Sequence, residues 1–285
     1  MNSQKFLQCL QSHTGSFAKE IATDAGDWVV KGFIDVHRRV YTISVDTKVV
    51  SKVLELLLFP TFKIFAEAHN LNVELSPEQN CYPDLTFIDK ETGKKFAVDI
   101  KSTYIAEDGR VNGFTLGAFT GYFRNRNSQK NTLYPYKEYS GHFVLGVIYT
   151  QAQAATDERQ IHSLNELETI PSVIKGFQFF AQPKYKIAST TPGSGNTKNI
   201  GSIKKIKDIL EGKGPFSELG EDIYDDYWMF YLTKLMAKEA EIDRPYMNLK
   251  TYFEYKKRGL DVLERNATAI AALDEDDNEV NEEID

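Results

Sequence analysis

Cysteine is scarce in this chain. Two residues among 285, Cys9 and Cys81, exclude a disulfide framework and a cysteine-built zinc site, and point to reduced thiols in a cytoplasmic setting. Long apolar runs are also missing. No stretch approaches the ~18 residues of a membrane span, so no membrane partner is expected. The N-terminus lacks a basic segment followed by an apolar run, so no signal peptide is expected either. No internal repeat is evident. The glycine-rich loop around Gly193 lacks the lysine and the strand–helix context of a P-loop, which argues against a nucleotide cofactor. Finally, Leu273 to Asp285 contains no lysine or arginine but eight acidic residues. Setting those eight charges aside takes the net charge of the rest from −7 to +1. A near-neutral body can carry a basic cleft, although it promises no strong non-specific attraction to nucleic acid.

What is present is ordinary for a globular protein: 41% hydrophobic and 26% charged residues. The length suffices for a sizeable core. One domain over residues 1–272 is the expectation, followed by an acidic, disordered tail at 273–285.

The most informative stretch runs from Asn80 to Tyr104. Leu85 to Ile88 is a short β-favouring run. Asp89 to Lys95 is charged and contains Gly93, which is turn chemistry. Phe96 to Lys101 alternates, with Phe96, Val98 and Ile100 on one face and Ala97, Asp99 and Lys101 on the other. A hairpin turning near Glu91 and Thr92 brings Asp84 beside Asp99. Two carboxylates and a lysine then converge. Close carboxylates repel unless a divalent cation sits between them. A hard oxygen site with open positions suits Mg2+, and Lys101 adds positive charge near a phosphate or an attacking water. Together these parts suit metal-assisted phosphodiester hydrolysis. The bland alternative is a surface hairpin whose polar face carries charges.

Elsewhere, Gln4 to His13 reads as a short amphipathic helix and Trp28 to Ile43 as two strands. Val49 to Asn70 reads as one helix, or a pair broken at Pro60, with Val50, Val53, Leu54, Leu57 and Leu58 as its apolar face. Glu55 on that helix reads by itself as a solvated glutamate. Gln79 and Asn80 form a polar patch before the hairpin, suited to a minor groove or to an ordinary loop. Arg124 and Arg126 suit phosphate contacts or a helix end equally. Phe143 to Tyr149 reads as a central strand. Gly176 to Ala181 and Lys184 to Ser189 are further strand candidates. Gly193-Ser194-Gly195-Asn196-Thr197 is a loop whose glycines permit close backbone approach, and Asn can pair with adenine in a major groove. Lys204 to Glu211 and Ile223 to Glu241 read as helices. Arg244 to Arg258 suits either a DNA backbone or a cover for the core.

Pro83-Asp84, followed after fourteen residues by Asp99-Ile100-Lys101, resembles the PD-(D/E)xK nuclease motif. Further segments are similar, in the same order, to EcoRV-like type II restriction endonucleases. They are Asp46 to Val49, Leu54 to Leu56, Asn80 to Asp84, Phe114 to Gly117, Asn165 to Leu167, Gly193 to Thr197 with Asn199 to Ser202, and Glu211 to Gly214. The resemblance covers roughly residues 25 to 260. It implies an α/β fold, with a restriction-endonuclease-like mixed central β-sheet flanked by helices. It also implies Mg2+ dependence, double-stranded DNA as partner, and a homodimer to whose formation the first ~45 residues contribute. Glu55 matches a third acidic residue of the family's active site. Gly193 to Thr197 matches its recognition loop without substitution, and Asn199, Gln79, Asn80 and Thr103 join the implied DNA contacts. The implied target is a GATATC-like palindrome cut to blunt ends. Rival functions on the same fold are a catalytically silent DNA-binding protein and a repair or structure-specific nuclease.

Overall fold

Five strands form the central sheet, in the order Leu71–Leu75, Leu85–Asp89, Lys95–Tyr104, Tyr139–Gln151 and Ile174–Pro183. The first three pair antiparallel, and the sheet as a whole is mixed and flanked by helices. The computed structural model describes residues 1–76, 78, 81–152, 160–193 and 198–257. Contacts divide the chain into two compact units. One comprises Met1–Ser76, Pro83–Asn112 and Ser140–Gln182, and includes the central sheet; the other takes the remainder.

In the first unit, the expected N-terminal helix spans Ser3–Ser12, capped by the Asn2 side chain on the Lys5 N–H. A second helix, Thr14–Ile21, follows at once and buries Phe17 and Ile21, an i,i+4 pair that the sequence reading passed over. The long helix Thr47–Ala68 starts at Asp46, whose carboxylate accepts from the Lys48 and Val49 N–H groups. Pro60 lies inside it, so the broken-pair alternative is removed. Proline forgoes one helix hydrogen bond. The buried face through Val50, Leu54, Leu58, Phe62 and Phe65 keeps the helix continuous across that gap. These residues meet Phe6, Leu85, Phe87, Phe96, Val98 and Ile100 in one core. Phe6 stacks on Phe96 at 4.4 Å between ring centroids. The expected Trp28 to Ile43 pair appears as Gly32–Ile34 and Arg39–Thr42, joined by a turn with Arg38 at φ 61°. With Ile161–Ser163 it makes a small separate sheet.

The second unit holds a three-stranded sheet, Ala188–Pro192, Asn199–Ser202 and Thr115–Ala118 in that order, and four α-helices among its described residues besides a single turn at Lys184–Ile187. Two expectations fail here. Lys184 to Ser189 is not a strand throughout: Lys184–Ile187 is the helical turn, and the strand begins at Ala188. The Gly214 N–H bonds the Lys186 carbonyl and holds that turn. Ile223 to Glu241 is not one helix but two, Glu221–Met229 and Lys234–Glu239. Arg124 donates to the Tyr231 carbonyl at 2.7 Å and Arg244 to the Leu232 carbonyl at 2.8 Å. Thr233 then caps the next helix through the Met236 N–H. The Ile206–Glu211 helix stops at Gly212, in the left-handed region at φ 64°.

Candidate active site

The hairpin has the register that the alternation predicts. Leu85 pairs with Val98 and Phe87 with Phe96, so the next pair outward is Asp84 and Asp99. The turn is set by Asp89, which accepts from the Glu91 and Thr92 N–H groups, and by Gly93 at φ 69°. Phe96, Val98 and Ile100 enter the core. The opposite face is also largely covered, with Ala97 and Asp99 buried.

At the end of the pair, three charged side chains converge. Asp84 Oδ2 accepts the Ile100 N–H at 2.7 Å, and Lys101 Nζ lies 3.4 Å from the same oxygen. Lys101 Nζ is 3.6 Å from Asp99 Oδ2, and the Asp84 N–H donates to Asp99 Oδ1 at 3.4 Å. The side chains of Asp84, Asp99 and Lys101 are 32%, 4% and 26% exposed. Burial pushes the Asp84 carboxyl above the usual carboxylate range; Lys101 and the Ile100 N–H pull it down, while the charges of Asp99 and Glu55 push it up. The net effect is upward. Burial pulls Lys101 down, but the carboxylates of Asp99 and Asp84 outweigh it and hold the ammonium firmly protonated.

Glu55 sits on the long helix, 28% exposed, and pairs with Lys52 at 2.8 Å. Its charge acts on both Asp84 and Lys101, so it belongs to the same electrostatic neighbourhood. Lys52 also responds to Asp84. The sequence reading missed Lys52, although a Lys–Glu pair at i,i+3 on one helix face was there to be seen. It missed as well a hydrogen bond between Ser51 and Ser102, one residue beyond Lys101. Among the described residues, no three acidic, histidine or cysteine side chains stand close enough to hold a metal ion by themselves.

The other expected site residues are placed as follows. Thr103 is buried, at 3% exposure, on the same strand as Asp99 and Lys101. In the second unit, Gly193 donates its N–H to the Asn199 carbonyl at 2.9 Å, and Asn199 pairs with Ala118 across the small sheet. The base of the Gly193 loop is therefore tied to a strand. Gln79, Asn80, Ser194, Gly195, Asn196 and Thr197 lie outside the described residues, as does the acidic tail at 273–285. Arg124 and Arg126 serve the interior of the second unit. Arg126 pairs with Asp225 at 2.6 Å and lies over the Tyr136 ring, and Arg124 holds the Tyr231 carbonyl. Arg244, Tyr246 and Tyr252 likewise bond within this unit, covering the core.

Comparison with known proteins agrees with this geometry. The family model described as restriction endonuclease EcoRV matches residues 24–257. The type II restriction enzyme EcoRV of Escherichia coli is 38% identical over 232 residues, covering 81% of this chain and 91% of that protein. No helix among the described residues is long and apolar enough to cross a membrane. The matched region contains the whole hairpin and the Glu55 helix, and the chain belongs to the EcoRV family of type II restriction endonucleases, a family of DNA-binding hydrolases.

Proposed function

We propose that the chain is a Mg2+-dependent homodimer that cuts both strands of a GATATC-like palindrome and leaves blunt ends. The observation that carries the reading is the convergence of Asp84, Asp99 and Lys101 at one end of the hairpin. Asp84 and Asp99 offer hard oxygen donors on neighbouring positions of the hairpin, with Lys101 between them. Such a pair fits Mg2+, which takes one or two carboxylates and completes its shell with water and substrate phosphate. Glu55 adds a third negative charge to the same neighbourhood from the adjacent helix. When bound, the ion supplies Lewis acidity and a more acidic water.

The chain's own residues do the rest. The Ile100 N–H fixes the Asp84 carboxylate against the strand. Lys101 remains protonated, which suits stabilisation of charge developing on the phosphorane-like transition state rather than proton removal. Gly193 to Thr197 reads bases in the major groove, with Asn196 as the side-chain reader. Asn199 supplies a further DNA contact, Gln79 and Asn80 approach the minor groove, and Thr103, buried at 3% exposure, supports the strand from within instead of touching DNA. A palindromic target calls for a two-fold protein. Support for the homodimer comes from Phe33, Ile34 and Ile161, large apolar side chains left exposed on the small sheet.

Incubating the purified protein with plasmid and genomic DNA and Mg2+, then sequencing the cut ends, tests the reading. Discrete blunt fragments ending at half of GATATC support it. Intact DNA would point to a silent DNA-binding protein. A smear would point to a nuclease of another specificity.

A further inference from the structure

The long helix and the strand Lys95–Tyr104 meet through apolar side chains, with Val50, Leu54 and Leu58 on one side and Val98 and Ile100 on the other. Apolar packing is non-directional, so by itself it tolerates small rotations and slides of a helix. The catalytic arrangement does not, because a displacement near 1 Å costs orders of magnitude in rate. At the edge of this contact the Ser51 and Ser102 hydroxyls hydrogen-bond at 2.7 Å in a partly buried position. Ser51 precedes Glu55 by four residues, one helical turn, so the two lie on one face. Ser102 directly follows Lys101 and lies three residues past Asp99.

We propose that Ser51 and Ser102 are positioning residues: their hydroxyl pair is a directional latch that holds the helix of Glu55 in register with the strand of Asp99 and Lys101. The latch acts within the active-site reading above and adds to it a reason why the third carboxylate stays within electrostatic reach of the other two.

The test uses Ser51→Ala, Ser102→Ala, the double variant, and Ser51→Thr and Ser102→Thr, each checked for native circular dichroism. Two measurements are made. Denaturant unfolding without DNA or metal is analysed as a double-mutant cycle. Steady-state cleavage gives kcat and KM separately. The latch requires coupling in the unfolding cycle. It also requires each alanine variant to lower kcat about 3- to 10-fold, the scale of one lost hydrogen bond, with KM within about twofold. The double variant should be no worse than either single one, and threonine should restore kcat. Multiplying losses in the double variant, or a rise in KM and a shallower salt dependence with kcat intact, would mean that each serine meets DNA phosphate by itself, and would overturn the latch. Coupling in unfolding with kcat unchanged would overturn the positioning role. Failure of the active-site reading shows up separately, as normal cutting by Asp99→Ala.

Discussion

Replacing Asp84 by asparagine should stabilise the DNA-free protein while abolishing its activity. One oxygen, Oδ2, accepts both the Ile100 N–H at 2.7 Å and Lys101 Nζ at 3.4 Å. An asparagine can present its carbonyl oxygen at that place and keep both contacts. What disappears is the charge. Burial is the largest influence on this carboxyl and opposes ionisation, and the charges of Asp99 and Glu55 oppose it further. Lys101 keeps a partner in Asp99 at 3.6 Å. Removing a disfavoured charge of this kind yields at most about 0.5–2 kcal/mol. With the side chain 32% exposed, solvent screening reduces that to about 0.5–1 kcal/mol. For a protein of this size the change raises Tm by about 1–4 °C. The sign depends on pH. A carboxyl whose folded pKa is raised favours the folded state in its protonated form. That contribution is complete below the ordinary value of 3.8 and is lost as pH rises through the folded value. The gain from Asp84→Asn should therefore be small at pH 4 and larger at pH 8. Mg2+ should raise the Tm of the wild type, by about 1.4 kcal/mol of stability at tenfold excess over Kd, and should do much less for the variant. Calorimetry at the two pH values, with and without Mg2+, decides it. A variant less stable than the wild type at pH 8, or a Mg2+ effect equal in both proteins, would refute the reasoning.

Asp99→Ala should reduce cleavage at least about 10³-fold while DNA binding in Ca2+ persists, since the looser coordination of calcium positions water poorly; gel-shift and cleavage assays on one preparation show both. Glu55→Ala should slow single-turnover cleavage by much less than Asp99→Ala, because Glu55 approaches from the helix instead of the hairpin; a rate equal to wild type would make it a solvated helix glutamate. Asn196→Ala should depress cleavage at the preferred site far more than non-specific binding. One bidentate base contact is worth about 1–3 kcal/mol, and two-fold symmetry makes that roughly 2–6 kcal/mol, read as the ratio of kcat/KM at cognate and one-base-altered sites.

The hairpin was legible because its information is local. Strict alternation from Phe96 to Lys101, a charged turn with Gly93, and the distance of Asp84 and Asp99 from that turn together define a register, and a register defines which side chains are neighbours. The Glu55 helix was legible for the same reason, through its apolar face, while its cap at Asp46 and its start at Thr47 came from the structure. What escaped the sequence depends on partners far along the chain. The break after Met229 follows from Arg124, about a hundred residues earlier, which takes a carbonyl that an unbroken helix would have used. The helical turn at Lys184 depends on Gly214, where an added Cβ would stand 2.6 Å from the Lys186 carbonyl oxygen. Neither interaction leaves a trace in local periodicity. The same limit hid the roles of Arg124 and Arg126. Basic and aromatic residues in alternation look the same whether the cations face a phosphate or lie on Tyr136 and Phe119 inside the protein.

Charge balance links the hairpin to the helix. Around Asp84 stand two further carboxylates, Asp99 and Glu55, and two ammonium groups, Lys101 and Lys52. When all are ionised, the cluster carries a single net negative charge. That is tolerable for a partly exposed group in the free protein; burial is the main upward push on Asp84, and Asp99 and Glu55 add to it against the pull of Lys101. A phosphodiester brings a second negative charge into the same space, and its transition state concentrates that charge on the reacting oxygens. The lysines are already committed to carboxylates, so they cannot neutralise it alone. On the proposed reading, one divalent cation would restore neutrality. A stronger built-in cation would hold the free protein more firmly but would leave the carboxylates less able to accept the metal. On the proposed metal-assisted reading, the arrangement trades stability of the unliganded hairpin for a site whose charges would balance only with DNA and metal both bound.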